Sequence, residues 1–90
     1  MRMRKMKNLE PRMAACAALR IAEPMARKGV WRELKPGCTA LWVELGCGKG
    51  KFTAETAREN PDVLLIAVER CREAMVVAME KARDMGLTNV

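Results

Sequence analysis

Two short apolar runs, TALWVEL at 39–45 and VLLIAVE at 63–69, frame the chain. Each is nearly continuous in apolar residues and bounded by glycine or turn residues, the pattern of a strand buried on both faces of a parallel sheet. Between them KFTAETAREN (51–60) suits a helix, with Phe52, Ala54 (or Glu55) and Ala57 spaced around it, and Asn60-Pro61-Asp62 stops it. After the second run, REAMVVAMEKARDM (72–85) reads as an amphipathic helix. Met75, Val76, Met79 and Ala82 line one side, while Glu73, Glu80, Lys81 and Arg83 fall elsewhere; Met75 and Met79 are expected in the core. Gly86 is placed to end that helix, and LTNV (87–90) looks like the approach to a third strand. Strand, glycine loop, helix, strand and helix in this order open a parallel α/β sheet.

The first 38 residues have a different character. Residues 13–23, MAACAALRIAE, are rich in good helix formers, follow Pro11 and are limited by Pro24, which predicts a helix there. Residues 25–38 form a connector punctuated by Gly29 and Pro36-Gly37, with Trp31 and Leu34 as the expected anchors onto the main body. Residues 1–12 carry Arg2, Arg4, Lys5, Lys7 and Arg12 with little apolar content and read as a flexible basic arm. The expected organisation is therefore arm (1–12), helix and connector (13–38), and α/β unit (39–90).

Composition narrows the partners. Ninety residues make one small domain, and 17 Lys and Arg against 11 Asp and Glu leave a net charge of +6, which favours acidic partners such as nucleic acid or anionic lipid. Four cysteines stand at 16, 38, 47 and 71, none in a CxxC pair, and there is no histidine. That spacing predicts reduced thiols and neither a zinc site nor a disulfide framework. The N-terminus imitates a secretory signal, but Pro11, Arg12 and Arg20 keep its apolar stretch too short, and no run is long enough to span a bilayer. The expectation is a cytoplasmic protein with no metal and no membrane partner.

The chemistry centres on LWVELGCGKGKF (41–52). A Walker loop needs GxxxxGK followed by Ser or Thr, and neither the spacing nor the hydroxyl is present. The dinucleotide fingerprint GxGxxG is met only in part, because Gly48 is followed by Gly50 and then Lys51. The third pattern is Glu44-x-Gly46-x-Gly48-x-Gly50. Its glycines let the main chain run close to a ligand, and Glu44 beneath them can accept from loop amides or from a bound ammonium. Glu69 ends the second strand, where an acidic residue reaches ribose hydroxyls. Two carboxylates suit S-adenosylmethionine, which brings an ammonium, a sulfonium and a ribose diol but no pyrophosphate. The competing readings are a purely loop-bracing Glu44, and a Glu69 ion-paired with Arg70 or Arg72. Lys49 and Lys51 read as solvated or phosphate-facing, and Cys47 as a space-filler, since no histidine is available to activate it.

ELGCGKGKF, with VER after the second strand and MRMRKMKNLEPRM before the first, resembles the bacterial tRNA (guanine-N7-)-methyltransferase family. The similarity continues through RKGVWREL, AMEKA and GLTNV and so covers nearly the whole chain. The resemblance implies a Rossmann-like class I methyltransferase fold and transfer of a methyl from S-adenosylmethionine to N7 of a guanosine in the tRNA variable loop. It implies that Glu44, Gly46, Gly48 and Gly50 contact the methionine part of the cofactor and that Glu69 binds the ribose hydroxyls. The basic arm (Arg2, Arg4, Lys5, Lys7 and Arg12) fits a phosphate-contacting role on tRNA. Trp42 stands where the family often has histidine. The family's further strands, its catalytic acidic residue and its tRNA-binding residues have no counterpart here. No catalytic residue is therefore expected among these 90, and the chain reads as an N-terminal part of such an enzyme. Another class I methyltransferase and a non-catalytic RNA-binding module are the rival readings.

Overall fold

The computed structural model describes residues 5–90. Its α/β part runs β1 (Ala40–Leu45), α2 (Lys51–Glu59), β2 (Val63–Val68) and α3 (Arg72–Asp84), preceded by α1 (Leu9–Ala15) and three short 3-10 turns. β1 and β2 pair in parallel, in register from Ala40 opposite Val63 to Leu45 opposite Val68. Both strands therefore deliver their carboxyl ends, and the loops that follow, to one edge of the sheet.

The second strand is buried as expected over its first half, with Val63, Leu64 and Leu65 at 8% exposure or less. The first strand is not: Trp42, Val43 and Leu45 are exposed at 42%, 59% and 80%. Among the described residues β1 is paired along one edge only, and a strand loses both faces to the interior only when layers cover both. On α2 the buried positions are Thr53, Ala54 and Ala57, while Phe52 points outward at 69% exposure. These small residues let α2 pack against both α3 and β2. On α3, Ala74, Val76, Met79 and Ala82 are buried and Met75 packs at the margin of the core. The helix ends as its glycine predicts: Gly86 has φ 68°, its N–H donates to Arg83 C=O, and Leu87 N–H donates to Ala82 C=O. That pair of bonds is a Schellman ending.

The first helix differs from its sequence expectation. It spans Leu9–Ala15, with Pro11 in the first turn where an N–H is not needed, and gives way at Cys16 to a 3-10 turn at Ala17–Leu19. Alanine content favoured 13–23, but packing decides: Leu9, Met13, Cys16 and Leu19 form one stripe against Val76 and Met79 of α3. The arm boundary at residue 12 thus falls inside α1. Two ion pairs flank the apolar seam, Arg12 to Glu80 and Arg72 to Glu10, the latter at 2.6 Å. Trp31 and Leu34 are half-buried and line a cavity of about 640 Å³ against Leu41 and Val43.

Beyond α3 the chain turns back along β2. Leu65 N–H donates to Asn89 C=O at 2.8 Å, on the edge of β2 away from β1, so LTNV approaches that edge, though the sheet among the described residues has two strands. Asn89 is 3% exposed, and its Nδ2 lies within 3.1 Å of the carbonyls of Ala57, Asn60 and Val63. One side-chain amide thus closes the end of α2 onto the start of β2. Asn89→Asp turns that donor into an acceptor facing three carbonyls, and we expect it to cost at least ~2 kcal/mol in chemical denaturation. A shift below ~0.5 kcal/mol speaks against this role.

Candidate functional site

The site is built where β1 hands over to the glycine loop and β2 to α3. Gly46, Gly48 and Gly50 all have positive φ (73°, 58° and 80°), a region that residues with a Cβ occupy only at a cost. This lets the loop fold back over the strand ends. Gly46 and Cys47 both donate their N–H to Val68 C=O, at 2.7 and 3.1 Å, and Gly50 N–H donates to Cys47 C=O at 3.0 Å. Gly48 N–H donates to Glu69 Oε1 at 2.8 Å. Four amides of residues 46–50 are therefore used inside the protein. A loop built to cradle phosphate instead aims its amides outward at the ligand.

Gly50 has a second reason to be glycine. A Cβ there would lie 2.6 Å from Ala78 Cβ and 2.9 Å from Ala78 Cα on α3. At Gly46 the same test meets nothing within 4 Å.

Glu69 sits just past β2, half-buried, and both its oxygens are engaged: Oε1 by Gly48 N–H and Oε2 by Cys71 N–H at 2.9 Å. The amides of Cys71 and Gly48 hold its carboxyl below the usual carboxylate range. The expected rival, an ion pair with Arg70 or Arg72, is not what the structure shows; Arg72 pairs with Glu10. Glu44, one residue before the end of β1 and opposite Ala67, is half-buried and accepts a hydrogen bond from the Thr53 hydroxyl of α2. Among the described residues neither glutamate takes part in an ion pair. Burial pushes the Cys47 thiol up, and the nearby Glu44 and Glu69 carboxylates act in the same direction. That keeps it a thiol.

The structure brings Glu44, Gly46, Gly48, Gly50 and Glu69 to one edge and sorts the basic residues differently. Lys5 and Lys7 are exposed, as are Lys49 and Lys51; Arg2 and Arg4 lie outside the described residues. Arg12 is not a free arm cation. Its guanidinium grips Glu80 with Nε at 2.9 Å and a second, shorter bond, which raises the arginine and lowers the glutamate pKa. Thr53 is a site residue that the pattern of apolar positions missed. Its only sequence signal is a hydroxyl in the first turn after the glycine loop.

A parallel strand, glycine loop, helix and strand with a carboxylate at each strand end is the opening of a Rossmann-like methyltransferase fold. Residues 39–90 match the family described as "Putative methyltransferase", and the chain belongs to that family. The chain is 41% identical over 84 residues to the tRNA (guanine-N(7)-)-methyltransferase of Acetivibrio thermocellus, covering 93% of this chain and 38% of that protein. The enzyme of the same name from Geobacillus kaustophilus is 39% identical over the whole chain, which covers 42% of it. One from Streptococcus thermophilus is 33% identical over the same 90 residues. The chain thus spans about two-fifths of the length of these curated relatives, 38% and 42% in the first two.

Two outcomes are expected. Gly50→Ala combines positive-φ strain with the clash at Ala78 and loses roughly 2–4 kcal/mol, while Gly46→Ala loses only about 1–2 kcal/mol, both read by denaturant unfolding. Equal losses contradict the close-approach argument. Because Glu69 is held as the anion, its stabilisation is present above about pH 4.5 and fades as pH falls through the lowered folded-state value. The stability gap between the wild type and Glu69→Gln, which keeps one acceptor but loses the other, narrows over that fall. The Arg12–Glu80 pair adds acid sensitivity common to both proteins and cancels in the difference.

Proposed function

We propose that this chain carries the cofactor-binding opening of an S-adenosylmethionine-dependent tRNA (guanine-N7-)-methyltransferase acting in the cytoplasm. The observation that carries this reading is a glycine loop whose amides are consumed internally, flanked by two carboxylates that have no cationic partner among the described residues. Such a site suits a ligand with an ammonium and a diol and ill suits a pyrophosphate. In this reading residues 39–90 form the binding unit. Glu44, Gly46, Gly48 and Gly50 hold the methionine end of the cofactor, and Glu69 holds the ribose hydroxyls with the lone pairs its two amides leave free.

The cofactor supplies an electrophilic sulfonium methyl, and guanine N7 supplies a lone pair. Such a transfer depends mainly on positioning and on a fitting electrostatic environment. The chain's own contribution is to fix the loop and to present carboxylates at the strand ends, where ligands of such sheets sit. The net charge of +6 supports RNA as the second partner, with Arg2, Arg4, Lys5 and Lys7 on phosphates. Arg12, engaged by Glu80, serves instead to dock α1.

Calorimetric titration tests this. S-adenosylmethionine is expected to bind and NAD not to, and Glu44→Gln is expected to weaken the cofactor tenfold or more. Transfer RNA is expected to bind with an affinity that falls steeply with salt. Binding of tRNA without binding of the cofactor favours the RNA-binding module.

A further inference from the structure

Thr53 is 4% exposed and stands in the third position of α2, yet its hydroxyl is not turned back onto the helix. A buried threonine in a helix commonly bonds a carbonyl of the preceding turn. Here Thr53 Oγ1 donates across to Oε1 of Glu44, tying the first turn of α2 to the end of β1. Thr53, the donor of this bond, also lines the same cavity as Cys47, Gly50 and Glu69.

This arrangement decides how Glu44 meets a ligand. The three ion pairs among the described residues join Arg12 to Glu80, Arg72 to Glu10 and Arg83 to Asp84, so Glu44 has no cation beside it. A half-buried carboxylate with one oxygen held by a neutral hydroxyl retains an oxygen for a charged donor. A flexible glutamate would present either oxygen in several rotamers, and each alternative dilutes the productive one. The hydroxyl removes that freedom before the ligand arrives, and preorganisation of this kind raises affinity.

We infer that Thr53 is a positioning residue that aims the Glu44 carboxylate at the amino group of the bound cofactor and so selects ligands with an amino-acid end. This deepens the proposed function and rests on it. Two probes differing only in that end are S-adenosylhomocysteine and 5′-methylthioadenosine, both neutral thioethers. Thr53→Val keeps the volume and the branching but removes the hydroxyl; Thr53→Ser keeps the hydroxyl.

The expected calorimetric result is a loss of about tenfold in affinity for S-adenosylhomocysteine with Thr53→Val, little change for methylthioadenosine, and near wild-type binding of both with Thr53→Ser. Equal weakening of both probes, or weakening of neither, overturns the inference while leaving the proposed function standing. If the wild type binds neither probe, the proposed function falls and the inference falls with it. Thermal unfolding of each variant is followed in parallel. Should Thr53→Val not fold, Thr53→Ala carries the same expectation.

Discussion

Glu69 holds the carboxyl edge of the sheet together. Its two oxygens take the amides of Gly48, in the loop after β1, and of Cys71, at the turn into α3. A charged acceptor for two backbone donors is stronger than two neutral bonds, and here it joins segments that lie 21 and 2 residues away. Val68 C=O continues the same seam by accepting from Gly46 and Cys47. The loop is thus fixed from the neighbouring strand instead of by a ligand. Its outward face is left to side chains more than to amides.

The opposite end is closed by a donor. Asn89 Nδ2 reaches the carbonyls of Ala57, Asn60 and Val63, while its own carbonyl receives Leu65 N–H. A carboxylate that gathers amides at one end and a side-chain amide that gathers carbonyls at the other fix how α2 crosses between the strands. The two helices can then approach so closely that Gly50 abuts Ala78. The N-terminal segment joins through the stripe of Met13 and Cys16 on Val76 and Met79, with Arg12 and Glu80 beside it. Apolar contact supplies the adhesion of that seam, and the partly exposed charges mainly set its register.

Much of this was legible along the chain because buried strands and amphipathic helices leave periodic marks. The runs at 39–45 and 63–69, the stripe of Val76, Met79 and Ala82, and Gly86 after α3 all lie where the pattern put them. The glycines and the two glutamates were also visible, since positive φ and strand-end acids leave a fixed spacing. The start of α1 was not. Helix propensity is a weak signal over seven residues, and contact with α3 overrode it. Nor was the exposure of β1 and Phe52 visible, because an apolar run carries no mark of how many layers will cover it.

By itself, then, the sequence determined the order of elements, the parallel α/β character and the identity of the loop, since each depends on local periodicity or on backbone freedom at particular glycines. Only the tertiary structure decided what the polar groups do. Glu69, read along the chain as a ribose contact with an arginine ion pair as the rival, proved to hold two backbone amides, and Arg12 turned from an arm cation into an anchor. Thr53 and Asn89 emerged as the residues that orient a carboxylate and close a turn. Hydrogen-bond partners tens of residues apart leave no periodic trace, so their pairing is settled only when the chain packs.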